Sequence, residues 1–227
     1  MAFKIENTAN LMNNQGIKCL VYGESGSGKT RLLSTAPRPI IFSAESGLLS
    51  LKKYQVAYHV INTYKDLEEA FLWATKSAEM KQFDTLALDS ASEIAEVVLA
   101  DLKTKNKDPR KAYGEVADTI TEMFRAYRDL PQKNVVFLAK QERIIDTGTG
   151  MIYYGPMFPG KALPLQIPYF FDEMFQLCVF EDATSKQKQR ALRTDKDFQN
   201  QAKDRSGCLD PWEPADLTHI FSKIVKG

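Results

Sequence analysis

The sequence predicts one α/β domain, with a mostly parallel sheet covered by helices on both faces and an antiparallel C-terminal extension. Three observations support this prediction. Short apolar segments alternate with segments whose apolar residues recur at helical spacing. A glycine-rich loop joins the first apolar segment to the first helix. Beyond residue 141 the alternation stops, and two β-type segments flank a polar turn.

The first 139 residues supply the alternating elements. Apolar, strand-like segments are predicted at residues 17–22, 39–43, 56–61, 85–88 and 134–139. Helices are predicted at residues 31–36, 46–54, 63–78, 90–102 and 111–130. Thr63 is a predicted N-cap, and Ser90 with Glu93 matches a capping box. Because strands that alternate with helices pair in parallel, these segments predict the parallel part of the sheet.

The remaining third is predicted to be less regular. Residues 146–168 are rich in glycine and proline and predict a long loop with a short helix. Strands are predicted at residues 174–181 and 190–194, joined by a polar hairpin at 182–189, and a last helix at 214–226. Residues 1–16 are polar and form a predicted N-terminal arm, so the single domain is predicted to span residues 17–227.

Composition limits the classes of function. The net charge is +1, so any contact with nucleic acid depends on a local cluster of cations. The three cysteines are widely spaced, which suggests neither a zinc site nor a disulfide framework. No apolar run approaches the roughly 20 residues of a membrane span. We therefore expect a cytoplasmic protein that has no contact with a membrane.

The glycine-rich loop matches the full phosphate-binding pattern G-x-x-x-x-G-K-[ST]. Its backbone amides are expected to surround the phosphates of ATP, while the lysine contacts the β- and γ-phosphates and the threonine binds Mg²⁺. The alternative is a chance glycine-rich turn. The predicted nucleotide-binding residues are Gly23, Glu24, Ser25, Gly26, Ser27, Gly28, Lys29, Thr30 and Arg31.

Two carboxylates are candidates for the chemistry at this loop. Asp89 ends a buried strand and is predicted to act with Thr30 at the magnesium ion, although it also suits a helix cap. Glu45 follows the second strand, at the sheet edge where ligands bind in open parallel sheets. It is the candidate general base for a water molecule, and the alternative is a solvated loop glutamate.

Several segments resemble the RecA recombinase family. The segment IIFSAE, which ends at Glu45, looks like the strand and catalytic glutamate of that family. The strand at 135–139 resembles the one that ends in the γ-phosphate-sensing glutamine, which corresponds to Gln141. The segment QAKDR resembles a basic motif that reaches the nucleotide of a neighbouring subunit, which implies trans-acting roles for Lys203 and Arg205.

The resemblance runs from about Ile17 to Arg205 and implies a RecA-like P-loop NTPase core. It is strongest to short phage proteins that keep only this core and act in single-strand annealing or strand exchange. Such a protein is implied to hydrolyse ATP, to assemble as a ring or filament, to act with a single-strand DNA-binding protein, and to work in the host cytoplasm. Only 16 residues precede the first strand, so the large polymerisation element of full recombinases is expected to be absent.

The predicted loop at residues 142–166 is the candidate contact for single-stranded DNA. It directly follows Gln141, and long loops inside compact domains are usually functional or disordered. Arg143 and Lys161 can meet phosphates, while Tyr153 and Tyr154 can stack on bases. The alternative is that the tyrosines pack the loop onto the core.

Three functions therefore compete. The leading one is an ATP-dependent DNA recombination protein. A small-molecule kinase also fits the phosphate-binding loop, but an acceptor site needs an arginine-rich lid, and the segment after Gln141 carries few cations. A nucleotide-switched scaffold such as a helicase loader is the third.

Overall fold

The computed structural model describes residues 16–45, 47–105, 108–181 and 186–227, so the predicted N-terminal arm lies almost wholly outside the described residues. In this part of the chain, ten strands form one sheet. The strands are β1 (Lys18–Gly23), β2 (Pro39–Ser43), β3 (Ala57–Val60), β4 (Thr85–Asp89), β5 (Asn134–Ile145), β6 (Ile152–Pro156), β7 (Glu173–Glu181), β8 (Lys188–Arg193), β9 (Lys203–Asp204) and β10 (Trp212–Pro214). The order of the main path is β10-β8-β7-β1-β5-β4-β2-β3, with β6 paired to β5 and β9 paired to β7.

The centre of the sheet is parallel and apolar. All six residues of β1 are buried, and β1 pairs in parallel with both β5 and β7. The strands β8 and β10 run antiparallel at one end. This arrangement confirms the predicted α/β fold class, with a mostly parallel sheet and an antiparallel C-terminal extension.

Helices cover both faces of the sheet, and each face has its own apolar core. The helices are α1 (Lys29–Leu32), α2 (Tyr64–Lys76), α3 (Ala91–Lys105), α4 (Pro109–Arg128), α5 (Leu163–Gln166) and α6 (Leu217–Lys226). One core packs α2, α3 and α4 on the sheet through residues such as Leu67, Ile94 and Phe124. The other core packs α1 and α6 through residues such as Leu32 and Ile220. None of the helices within the described ranges is long and apolar enough to cross a membrane.

The two predicted caps differ in outcome. The capping box at Thr63 is complete, since its side chain and that of Asp66 each accept an amide of the other residue. The box at Ser90 and Glu93 is only half formed. Ser90 Oγ accepts the Glu93 amide at 3.3 Å, but the Glu93 carboxylate binds Lys140 instead. The reciprocal contact predicted for Glu93 is therefore wrong, because a nearby ammonium is the stronger partner for a carboxylate.

The predicted long loop after Gln141 is wrong at residues 142–145 and 152–156, which form strands. β5 continues to Ile145, and β6 pairs with it in an antiparallel hairpin in which Arg143 lies opposite Tyr154. Asp146 makes the turn, where its Oδ1 accepts the amides of Gly148 and Thr149 at 2.9 and 2.7 Å. The β-branched and aromatic residues on either side of this turn favour strands. The short helix predicted within this segment is confirmed as α5.

A buried acid lies where β7 meets β9. Glu173 is 2% exposed and its Oε2 has no hydrogen-bond partner among the described residues. Burial, together with the nearby Asp204, raises the pKa of Glu173 to about 8. The ordinary pKa of this carboxyl is 4.5. Between pH 4.5 and pH 8, the folded chain therefore holds the proton of Glu173 more tightly than the unfolded chain. The contribution of Glu173 to the free energy of unfolding falls as the pH rises through this window.

Replacing Glu173 by glutamine should therefore stabilise the fold at pH 8 more than at pH 6, because the amide never carries the buried charge. We expect a gain of at least about 1 kcal/mol, or roughly 2–4 °C in Tm, at the higher pH. Thermal unfolding of both proteins at the two pH values measures this difference, and the exposed Glu96→Gln variant is the control. An equal shift at both pH values would contradict a buried, protonated Glu173.

Candidate functional site

The phosphate-binding loop lies between β1 and α1, at the carboxyl edge of the parallel strands. Gly26 and Gly28 have φ values of +77° and +101°, which only glycine adopts without strain. Lys29 Nζ donates to the carbonyls of Gly23 and Glu24 at 2.8 and 2.9 Å. Burial lowers the pKa of Lys29, while the carboxylates of Glu45 and Asp89 oppose this shift. The ammonium therefore lies in one cluster with both candidate carboxylates.

Thr30 and Asp89 form an oxygen pair beside Lys29. Thr30 Oγ1 donates to Asp89 Oδ2 at 2.7 Å, and Asp89 is only 1% exposed. Burial raises the pKa of Asp89 to about 6, so a nearby cation would stabilise its ionised form. Magnesium usually takes one or two protein oxygens together with phosphate oxygens. The donor types and the position of this pair fit a magnesium ion shared with a bound nucleotide.

Glu45 reaches the same edge from β2. The register between β2 and β4 places Ser43 opposite Asp89, and this brings Glu45 next to the start of α3. Ser90 Oγ donates to Glu45 Oε1 at 2.6 Å. Ser43 Oγ accepts the Glu45 amide at 3.3 Å and donates to its carbonyl at 2.9 Å. Ser90 therefore holds the carboxylate of Glu45 and Ser43 holds its backbone, beside the cluster of Lys29 and Asp89.

Gln141 connects the loop to the hairpin. Gly23 lies opposite Lys140 in the pairing of β1 with β5, so Gln141 follows at the level of the phosphate-binding loop. Its Nε2 approaches Glu24 Oε1 at 3.5 Å, and its Oε1 accepts from Gln176 Nε2 at 3.1 Å. The strand that carries Gln141 continues without a break into the β5–β6 hairpin.

Arg190 is a neighbour of the loop that sequence reasoning missed. Its Nε donates to the Ser27 carbonyl at 2.7 Å, across 163 positions of sequence. A Cβ atom at Gly28 would lie 2.8 Å from Arg190 Nε, so the arginine passes directly over this glycine. Arg190 also lines a cavity of about 290 Å³ together with Gly28, Arg31 and Tyr54. The only local sequence signal for a contact between Arg190 and the loop is the spacing of Lys188 and Arg190, which places both cations on one face of a strand.

The four candidate DNA contacts have different environments. Arg143 and Lys161 are exposed. Tyr153 is half-buried and lines a cavity of about 660 Å³ beside Phe198. Tyr154 packs against the core, and its carbonyl accepts the Gln201 amide at 3.0 Å and the Tyr22 hydroxyl at 3.2 Å. Tyr154 therefore has a clear structural role.

The basic motif near β9 contacts its own chain. Lys203 Nζ donates to the carbonyls of Pro168, at 2.9 Å, and Phe171. Arg205 Nη1 pairs with Asp172 Oδ1 at 2.7 Å, and both side chains are about half exposed. Lys203 thus anchors β9 to the segment before β7, whereas the guanidinium of Arg205 is exposed. The roles of both residues across a subunit interface remain predictions.

The parallel sheet and the loop at its carboxyl edge define this chain as a P-loop nucleotide-binding domain. Residues 15–206 match the model of a family described as an AAA domain, and the chain belongs to this family. A comparison with curated proteins gave no match. Among solved structures, a KaiC-like protein from the hyperthermophilic archaeon Pyrococcus horikoshii OT3 aligns over 83% of this chain and 84% of its own, with 11% identity and a TM-score of 0.43.

Proposed function

We propose that this chain is a magnesium-dependent ATPase that acts on single-stranded DNA, in annealing or strand exchange. The proposal depends most on the cluster formed by Lys29, Thr30, Asp89 and Glu45 at one edge of the sheet. Lys29 contacts the β- and γ-phosphates, and Thr30 with Asp89 binds Mg²⁺. Glu45 accepts a proton from the attacking water. The ion, when bound, offsets the charge that develops on the transferred phosphate.

The base of the nucleotide is assigned to the 290 Å³ cavity beside Gly28. This cavity adjoins α1, the helix that directly follows the phosphate-binding loop. The guanidinium groups of Arg31 and Arg190 and the ring of Tyr54 line it, and such groups stack on aromatic bases. The assignment gives Arg31 a contact with the nucleotide.

The action on DNA rests on the continuity of β5. Gln141 lies near Glu24 of the loop, and Arg143 is only two residues further along the same strand. A change at the γ-phosphate can therefore move the start of the β5–β6 hairpin directly, because one continuous strand connects the two. Arg143, Lys161 and Tyr153 are proposed to contact the strand, and Tyr154 is left as part of the fold.

The test is binding of a labelled oligo(dT) with no nucleotide, with ADP and with a non-hydrolysable ATP analogue. We expect the analogue to raise the affinity and the Arg143→Ala/Lys161→Ala variant to lower it. The plot of log affinity against log salt should become shallower by about 0.7 for each phosphate that the variant no longer neutralises. The matched control is Lys65→Ala/Lys76→Ala, which removes two exposed cations from α2.

Failure of the wild-type chain to bind the oligonucleotide in any nucleotide state would contradict the DNA part of the proposal. Binding that is equal in all three states would contradict the coupling through β5. A decrease in affinity as large in the control variant as in the hairpin variant would show that binding depends on overall charge and not on the hairpin.

A further inference from the structure

A second cavity lies against the phosphate-binding loop, and the proposed function does not assign a ligand to it. We call it the β8 cavity; its volume is about 500 Å³. It touches the loop at residues 24–27, and its lining does not include Lys29, Thr30, Asp89 or Glu45. Its other walls come from β7, β8, the loop at Asn200 and β10. The cavity is therefore separate from the predicted magnesium cluster.

The β8 cavity is basic. Among the described residues, Lys188, Arg190 and Arg193 line it together with one carboxylate, that of Glu24. Lys188 and Arg190 are exposed. Arg193 also pairs with Asp197 at 2.5 Å, but its Nε is buried and has no hydrogen-bond partner among the described residues. This composition favours an anionic ligand.

Two further polar side chains at the wall of this cavity are buried, and each has an oxygen without a hydrogen-bond partner among the described residues. Ser27 is 3% exposed and Gln176 is 6% exposed. Ser27 Oγ and Gln176 Oε1 find no partner within the described ranges, and Gln176 uses only its Nε2, toward Gln141. Buried polar atoms are normally hydrogen-bonded. Those without a partner beside an open cavity therefore indicate that a ligand or an ordered water molecule supplies the hydrogen bond.

An aromatic wall closes the cavity at β10. Trp212 is 40% exposed, and its ring is held edge-on by Phe180, with 5.0 Å between ring centroids. The guanidinium of Arg193 lies over the same ring, 4.2 Å from its centroid. The side-chain amides of Gln141 and Asn200 also line the cavity. Cations, a fixed aromatic ring and amides together suit a phosphate joined to a nucleobase.

We propose that the β8 cavity holds one nucleotide of a nucleic-acid single strand, with its phosphate on the β8 cations and its base beside Trp212. The inference rests on the proposed action on single-stranded DNA and adds a contact distinct from the hairpin. Because Arg190 lines both this cavity and the one assigned to the ATP base, the strand and the nucleotide share a wall. Gln141 is a second shared element, since it contacts Glu24 of the loop.

Tryptophan fluorescence tests this placement directly. The chain has two tryptophans, so Trp73→Phe leaves Trp212 as the only reporter. We expect saturable quenching of Trp212 by oligo(dT), over the same concentration range in which the anisotropy of a labelled copy rises. Free thymidine monophosphate has the same phosphate and base and is therefore the alternative ligand to a strand. Quenching by this mononucleotide at a lower nucleotide concentration than by the oligomer would overturn the assignment to a strand.

A matched pair of variants completes the test in the single-tryptophan background. Lys188→Ala should weaken oligo(dT) binding and reduce its salt slope by about 0.7. Lys186→Ala should have no such effect. Lys186 lies in the connection between β7 and β8, pairs with Glu181 and does not line the cavity. Rising anisotropy without quenching, or equal effects of the two variants, would overturn the inference alone. No rise in anisotropy would overturn the proposed function with it.

Discussion

Lys29→Ala is expected to weaken ATP binding by about 10- to 150-fold, which corresponds to the roughly 1.5–3 kcal/mol of a hydrogen bond to a charged group. The ammonium is already held beside the loop by the Gly23 and Glu24 carbonyls, so little reorganisation is needed before it meets phosphate. Isothermal titration with MgATP measures the change.

The matched control for this variant is Lys65→Ala, which removes an exposed lysine from α2. Both variants should keep the thermal unfolding profile of the wild-type chain to within a few degrees. If Lys29→Ala binds ATP as tightly as the wild type while folded, the assignment of the loop as the phosphate site is wrong.

Glu45→Gln is expected to bind ATP and to hydrolyse it about 100- to 10,000-fold more slowly. The amide can still accept the hydrogen bond of Ser90 Oγ, so the geometry survives while the basicity is removed. Single-turnover release of phosphate, measured at saturating MgATP, separates this effect from any change in affinity.

The Glu96→Gln variant changes an exposed glutamate of α3 and is the control for charge alone. Its turnover should match the wild type. A Glu45→Gln turnover within a factor of about two of the wild-type value would show that another group activates the water.

The phosphate-binding loop and the parallel strands could be predicted because their signals are local. The loop is specified within eight consecutive residues, and the buried strands are short apolar segments with helices between them. The predicted N-cap at Thr63 is also local, since it accepts the amide of Asp66, only three positions away. Such features do not require knowledge of the tertiary structure.

The missed features depend on long-range pairing. The sequence predicts a loop where the hairpin forms, because its glycines and prolines outweigh the strand signals of β5 and β6. Nothing local places β7 beside β1, or brings Arg190 over Gly28. The carboxylate of Glu93 likewise binds Lys140, 47 positions away. Arg190 and the β8 cavity could therefore be recognised only once the sheet order was known.

The central claim is that the cluster of Lys29, Thr30 and Asp89 binds ATP together with magnesium. Isothermal titration of the wild-type chain with ATP, in the presence and absence of Mg²⁺, tests this claim most directly. We predict one nucleotide bound per chain, with clearly higher affinity when Mg²⁺ is present, and disappearance of that magnesium-dependent gain in Asp89→Asn. Saturable binding that is identical with and without Mg²⁺, or no saturable binding at all, would contradict the account.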